Sequence, residues 1–164
     1  MKLSKNQMDD LKCAIETAEK SIHYTSRHQF DLFDFMIWAF GVKPNRNILK
    51  QAHMMIKEGR TVEEIGEFVL GDYEISERTS PSKLNKVQFR LLKHIVHTCR
   101  RLLRQRDESW VDSFLTMRAD FYAYAMVGGP VSSVDNTDTF IHMLKDGSTD
   151  EEIMKWYIGD FEVI

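Results

Sequence analysis

Residues 143–163 of this chain restate residues 55–75, and no other feature constrains the fold as strongly. Ten of the 21 aligned positions are identical, where unrelated segments match at roughly one position in sixteen on ordinary residue usage. Lys57, Gly59, Thr61, Glu63, Glu64 and Ile65 return as Lys145, Gly147, Thr149, Glu151, Glu152 and Ile153. Gly71, Asp72 and Glu74 return as Gly159, Asp160 and Glu162. Two further anchors follow in the same order. Lys2-Leu3, Lys5, Gln7 and Leu11-Lys12 match Lys83-Leu84, Lys86, Gln88 and Leu92-Lys93 at an offset of 81 residues. Asp34-Phe35, Ala39 and Pro44 match Asp120-Phe121, Ala125 and Pro130 at an offset of 86. The offset reaches 88 at the C-terminal end, so the second copy carries insertions of five and two residues. Collinear anchors with a drifting offset are the mark of a tandem duplication. The copies run over 1–80 and 82–164, with Thr79-Ser80-Pro81-Ser82 as the join. Two copies are too few for a solenoid, so a pseudo-twofold pair forming one compact unit is expected.

Each copy reads as about four helices. The first covers residues 4–24 and 82–106. In the second copy Leu84, Val87, Leu91, Ile95 and Leu102 share one face of a 3.6-residue wheel, flanked by Leu92, Val96, Cys99 and Leu103. The second helix covers 29–40 and 109–127, with Pro44 and Pro130 in the following turns. The third covers 45–58 and 133–146 and stops at Gly59 or Gly147, the usual place for a left-handed cap. The fourth opens on Thr61-x-x-Glu64 and Thr149-x-x-Glu152, two capping boxes in which hydroxyl and carboxylate each take an orphan amide. Glu63 and Glu151 suit the positive helix start. Gly71 and Gly159 end it, and the following Gly-Asp-aromatic-Glu tails are expected to be extended, with Tyr73 and Phe161 against the core. No stretch sustains period-two alternation, so the class is all-α with essentially no sheet.

Composition narrows the function classes. At 43% hydrophobic and 29% charged, 164 residues suffice for a real core and are not disordered. A net charge of −3 implies no global pull toward nucleic acid or membrane. The N-terminus lacks an apolar signal region, and the most apolar stretch, 30–42, contains Asp31 and Asp34 and is too short to span a bilayer. Two cysteines, Cys13 and Cys99, read as buried free thiols, with a cytoplasmic setting expected.

One local charge pattern stands out. Residues 83–106 hold eight Lys or Arg and no acid, which leaves 14 bases against 25 acids elsewhere. Lys83, Lys86, Arg90, Lys93, Arg100, Arg101 and Arg104 lie with His97 on a stripe opposite the apolar face. At equivalent first-copy positions stand Asp9, Asp10, Glu16 and Glu19, against Arg90, Leu91, His97 and Arg100. One consequence is an attraction between the two first helices, Glu16 and Glu19 facing Arg100 and Arg104. Another is an external partner for the second copy alone. The stripe suits an acidic protein surface or phosphates. It also suits an ordinary solvated helix face, and the lack of base-stacking aromatics favours that reading or protein docking over nucleic acid.

Other patterns carry less chemistry. Glu64 and Glu67 have ligand spacing for a cation, but Lys155 replaces the second acid in the repeat and capping accounts for the first. Residues 57–68 have the look of the first helix of a helix-turn-helix, yet the next helix lies about ten residues away, too far for a recognition helix. His23, His28, His53, His94, His97 and His142 show no metal spacing. Cys99 sits on the apolar face as an inert thiol. Among the aromatics, Phe30, Phe33, Trp110 and Trp156 are candidates for exposure at a binding surface. The expectation is a non-enzymatic interaction module without cofactor, metal or catalytic residues: an adaptor, inhibitor or regulator of bacterial or bacteriophage type. The alternative is nucleic-acid binding through helix 83–106.

Overall fold

Two capping boxes start the fourth and last helices in the same way. Glu64 N donates to Thr61 Oγ1 at 3.1 Å, and Glu152 N to Thr149 Oγ1 at 3.2 Å. In each case the Glu carboxylate accepts from the cap amide, satisfying a donor that the helix leaves orphaned. A computed structural model describes residues 2–21, 27–43, 45–75 and 82–164. Pro44, His23 and residues 79–81 of the expected join lie outside the described residues.

The N-terminal half contains β1 (Lys2–Leu3), α1 (Lys5–Ser21), α2 (Arg27–Ala39), α3 (Arg46–Lys57), α4 (Val62–Leu70) and β2 (Glu74–Ile75). The C-terminal half contains β3 (Ser82–Leu84), α5 (Lys86–Gln105), α6 (Glu108–Phe114), a π-helical turn (Leu115–Ala119), α7 (Asp120–Val127), a 3-10 turn (Ser132–Val134), α8 (Thr137–Lys145), α9 (Asp150–Ile158) and β4 (Phe161–Val163). The expected second helix 109–127 is therefore a helical run interrupted by the π turn. The expected third helix 133–146 begins as the 3-10 turn.

The chain is mostly helical with little strand, as the all-α class implies, and the strands it has are two or three residues long. The extended tails after α4 and α9 pair in parallel with the segments that precede α1 and α5. Lys2 faces Glu74 and Leu3 faces Ile75, while Ser82, Lys83 and Leu84 face Phe161, Glu162 and Val163. Strands of two and three residues are too short to print an alternation in the sequence. Their role is to tie the end of each half to its beginning. Tyr73 and Phe161 pack half-buried against the core, as expected.

The core is one contiguous cluster drawn from both halves, including Leu11, Ile15 and Phe33 from the first and Leu91, Ile95 and Tyr157 from the second. Within α5 the apolar face is as read: Leu84, Leu91, Leu92, Ile95, Val96 and Cys99 are buried. Helix α2 packs on α7 and α5, and α1 packs on α7.

The junction between the halves is made by matching contacts. Gln7 Nε2 donates to Ala125 O at 2.7 Å, and Gln88 Nε2 donates to Ala39 O at 3.0 Å. Both glutamines also close capping boxes, with Ser4 and Asn85. Asn85 Nδ2 donates to Gly41 O at 2.8 Å, and Asn6 Nδ2 to Gly128 O at 3.3 Å. Gly41 and Gly128 have φ of +88° and +73°, where a Cβ is disfavoured. A Cβ on Gly41 would also collide with the Asn85 side chain, and one on Gly128 would meet Ser4 Oγ at 2.8 Å.

Two thiol expectations separate. Cys99 is buried, and burial pushes its thiol up to about 12, helped by the Asp120 carboxylate. Cys13 is exposed rather than buried, because α1 turns Leu11, Ala14, Ile15 and Ala18 inward. Both are free. No described helix is long and apolar enough to cross a membrane.

Candidate functional site

Helix α5 presents the basic stripe, and the fold divides it. Lys83, Lys86, Arg90, Lys93, His97, Arg101 and Arg104 are exposed, while Arg100 is half-buried. Arg100 Nε donates to Asp150 Oδ1 at 2.9 Å, and its Nη2 to Ser148 O at 2.9 Å. His97 Nε2 lies 2.9 Å from Asp150 Oδ2. Burial by itself would raise the Asp150 carboxyl, but the hydrogen bonds from His97 and Arg100 outweigh it and hold it below the ordinary range. These two stripe residues thus fasten α5 to the start of α9. Among the described residues, no ion pair joins Glu16 or Glu19 to Arg100 or Arg104, so the expected attraction between the two first helices does not form. Lys93 Nζ sits 5.0 Å from the ring centroid of Phe89, which in turn packs on Phe161.

Arg101 turns the other way, to a groove of about 470 Å³ between α5, α6, the π turn and the end of α2. The floor is a stack of rings. Phe35 lies 5.2 Å from Tyr122 at 21°, and Phe35 and Trp38 both stack on His94, at 6.4 and 6.0 Å. Burial, then the positive charge of Arg101 and His97, lowers the basicity of His94. Leu91, Ile95 and Leu102 form one wall. Trp110, 50% exposed, and Met117, 77% exposed, line the groove as well. Arg106 covers Trp110 at 5.0 Å. Arg101 and Arg118 stand exposed on the lining, and among the described residues neither has an ion-pair partner.

The π turn explains the placement of these side chains. It buries Leu115 and Ala119 while leaving Thr116, Met117 and Arg118 exposed. It lies between Lys93 and Asp120, the interval over which the sequence offset grows by five residues. Such turns recur at functional sites.

Of the aromatics singled out from sequence, Trp110 is exposed, but Phe33 is fully buried against His53 and Trp156 is half-buried against Phe140. Phe33 faces inward because α2 is covered on several sides. The side chains of Phe30 and His28 lie outside the described residues. Met117 and Arg118 were not singled out, since nothing local distinguishes them from other helical surface residues.

Several other polar groups have structural partners. His53 Nε2 pairs with Asp34 Oδ1 at 2.8 Å, and His142 lies 3.7 Å from Asp146. Glu64 is occupied by Arg60 and the Thr61 cap, which hold its carboxyl below the ordinary range. Asp120 Oδ1 accepts from Tyr157 Oη at 2.8 Å and from Ser133 Oγ. Among the described residues no three His, Cys, Asp or Glu side chains converge on a point that could hold a metal ion. No family model, curated protein or solved structure matches this chain.

Proposed function

We propose that this chain is a non-enzymatic interaction module that docks an acidic surface of another protein, as an adaptor, inhibitor or regulator working in a reducing, cytoplasmic setting. The observation that carries the reading is a cationic face with apolar side chains beside it. Lys86, Arg90, Lys93, Arg101 and Arg104 are exposed along α5, and Trp110 and Met117 are exposed in the groove that Arg101 lines. Enriched Arg, Met and aromatic residues are the composition of protein interfaces. The two free thiols suit the compartment.

The architecture belongs to the same reading: a duplicated unit of about four helices, over 1–80 and 82–164, paired about a pseudo-twofold axis. Support comes from the ten repeated positions. It comes also from the same order of strand, helices and strand in both halves, and from the matching Gln7–Ala125 and Gln88–Ala39 bonds. Duplication frees one copy to acquire a partner while the other keeps the scaffold.

The test is capture by the tagged protein from lysate, with and without nuclease, using wild type and an Arg90→Glu, Lys93→Glu, Arg101→Glu, Arg104→Glu variant. A stoichiometric protein that survives nuclease and is lost on charge reversal is the expected result. Recovery of nucleic acid alone, with affinity falling steeply in salt, would replace this reading by the nucleic-acid one.

A further inference from the structure

We propose that the groove between α5, α6 and the π turn is a docking site for an acidic segment of a partner protein that inserts large apolar side chains, flanked by Asp or Glu. This assignment rests on the protein-docking reading above and gives it a location and a partner chemistry.

Three observations lead to it. First, the groove holds about 470 Å³, the scale of a pocket for a few side chains and not for a folded domain. Its lining is predominantly apolar, and Met117, 77% exposed, is a flexible thioether suited to adapting to an inserted side chain. Second, the charge on the lining is all of one sign. Arg101 and Arg118 line the groove, and among the described residues neither is matched by a carboxylate. Both guanidiniums offer fork geometry to an incoming acid. Arg100, one position away, is by contrast already satisfied by Asp150. Third, the apolar lining from α5 has no counterpart in α1, although the basic position is kept as Lys20. At an offset of 81, Leu91, His94 and Arg101 correspond to Asp10, Cys13 and Lys20.

The rings argue against nucleic acid as the occupant. Base stacking needs free aromatic faces. Phe35 already stacks on Tyr122 and Trp38, Tyr122 is 4% exposed, and one face of Trp110 lies under Arg106. Beyond the rings, the exposed Met117 thioether and the half-buried Leu102 offer apolar surface, and these receive apolar anchors.

The probe is a displayed library of random 16-residue peptides, selected on the full-length protein and answered with synthetic copies of the enriched sequences. The expected result is convergence on two or more large apolar residues with neighbouring Asp or Glu. Affinity should fall at least tenfold in Met117→Glu and in Arg101→Glu, Arg118→Glu, and stay within twofold of wild type in Lys12→Glu, Lys50→Glu, two exposed lysines outside the docking face. All three sets change exposed side chains, and matching thermal melts establish that each variant is folded. No enrichment, enrichment of basic peptides, or equal binding to Met117→Glu would overturn the site. So would a 20-nucleotide oligothymidine that binds wild type and is lost in the Arg101→Glu, Arg118→Glu variant. If a captured cellular partner stays on Met117→Glu but is lost on Lys86→Glu, Arg90→Glu, the groove assignment falls while the docking reading stands.

Discussion

In the N-terminal half, Asp34 on α2 pairs with His53 from α3, and both side chains are about a quarter exposed, at 26% and 25%. In the C-terminal half, Asp120 at the matching position on α7 is buried, and accepts hydroxyl hydrogen bonds from Tyr157 on α9 and Ser133 in the 3-10 turn. Burial raises the Asp120 carboxyl, and the two hydrogen bonds oppose that rise. Two aspartates aligned in the sequence thus sit in unlike surroundings, one bonded to a partly exposed histidine and the other in a dry network. First-helix charges differ in the same manner: Asp10 against Leu91, Glu19 against Arg100. The order of elements and the capping boxes of α4 and α9 are alike in the two halves, while the polar partners differ. The C-terminal half buries one acid, Asp120, ties a second, Asp150, to α5, and leaves Arg101 and Arg104 exposed. That asymmetry places the candidate docking face on the second half.

Several substitutions sharpen or break this comparison. The largest effect is expected at the paired aspartates. Asp120→Ala leaves two buried hydroxyls without their acceptor and should cost about 3 kcal/mol, while Asp34→Ala should cost under about 1 kcal/mol. Denaturant melts of the two variants decide this, and equal losses would erase the distinction between dry and solvated. Next come the two junction glycines. Gly41→Ala and Gly128→Ala each combine a left-handed φ with a side-chain collision and should each cost about 2 kcal/mol. A strongly unequal pair would contradict the matched junction.

A smaller effect, of opposite sign, is expected at Asp10. Its Oδ2 is buried and has no hydrogen-bond partner among the described residues, and burial, then the neighbouring Asp9, pushes its carboxyl up to about 6. The native state therefore keeps a proton between pH 3.8 and 6 that the unfolded chain releases. Stability contributed by this group falls as pH rises through that window. Asp10→Asn should raise stability by about 1 kcal/mol at pH 7, a figure already reduced for partial solvent screening. The gain should vanish below pH 4, as thermal melts across that range would register. The smallest difference lies between neighbours on α5. Arg100→Ala should lose about 0.5 kcal/mol with its Asp150 pair, and Arg101→Ala should lose nothing measurable. Because Asp150 is held below its ordinary value, the Arg100 contribution is present at neutral pH and fades as pH falls through the carboxylate range. Indistinguishable melts for the two variants would mean that Arg100 is as uncommitted as Arg101.

Much of the fold was legible in the chain because its signals are local. The capping boxes at Thr61 and Thr149, the stops at Gly59 and Gly147, and the apolar face of α5 each depend on residues within one or two turns, and each stands where the periodicity put it. The basic stripe was legible for the same reason. Its division was not. Arg100 is bound by a residue 50 positions away, and Arg101 opens on a groove whose floor includes Phe35 from the other half. No spacing rule reports which of two adjacent arginines meets a distant carboxylate. The parallel strand pairs escaped because two or three residues leave no periodic trace, and Cys13 was misassigned because its exposure depends on which side of α1 meets α2 and α7. The π turn is likewise a tertiary outcome, since no local residue pattern marks it before α5, α6 and α7 are packed together. Local hydrogen bonding and hydrophobic period determine the elements; only their packing decides which polar side chains are spent inside and which remain available to a partner.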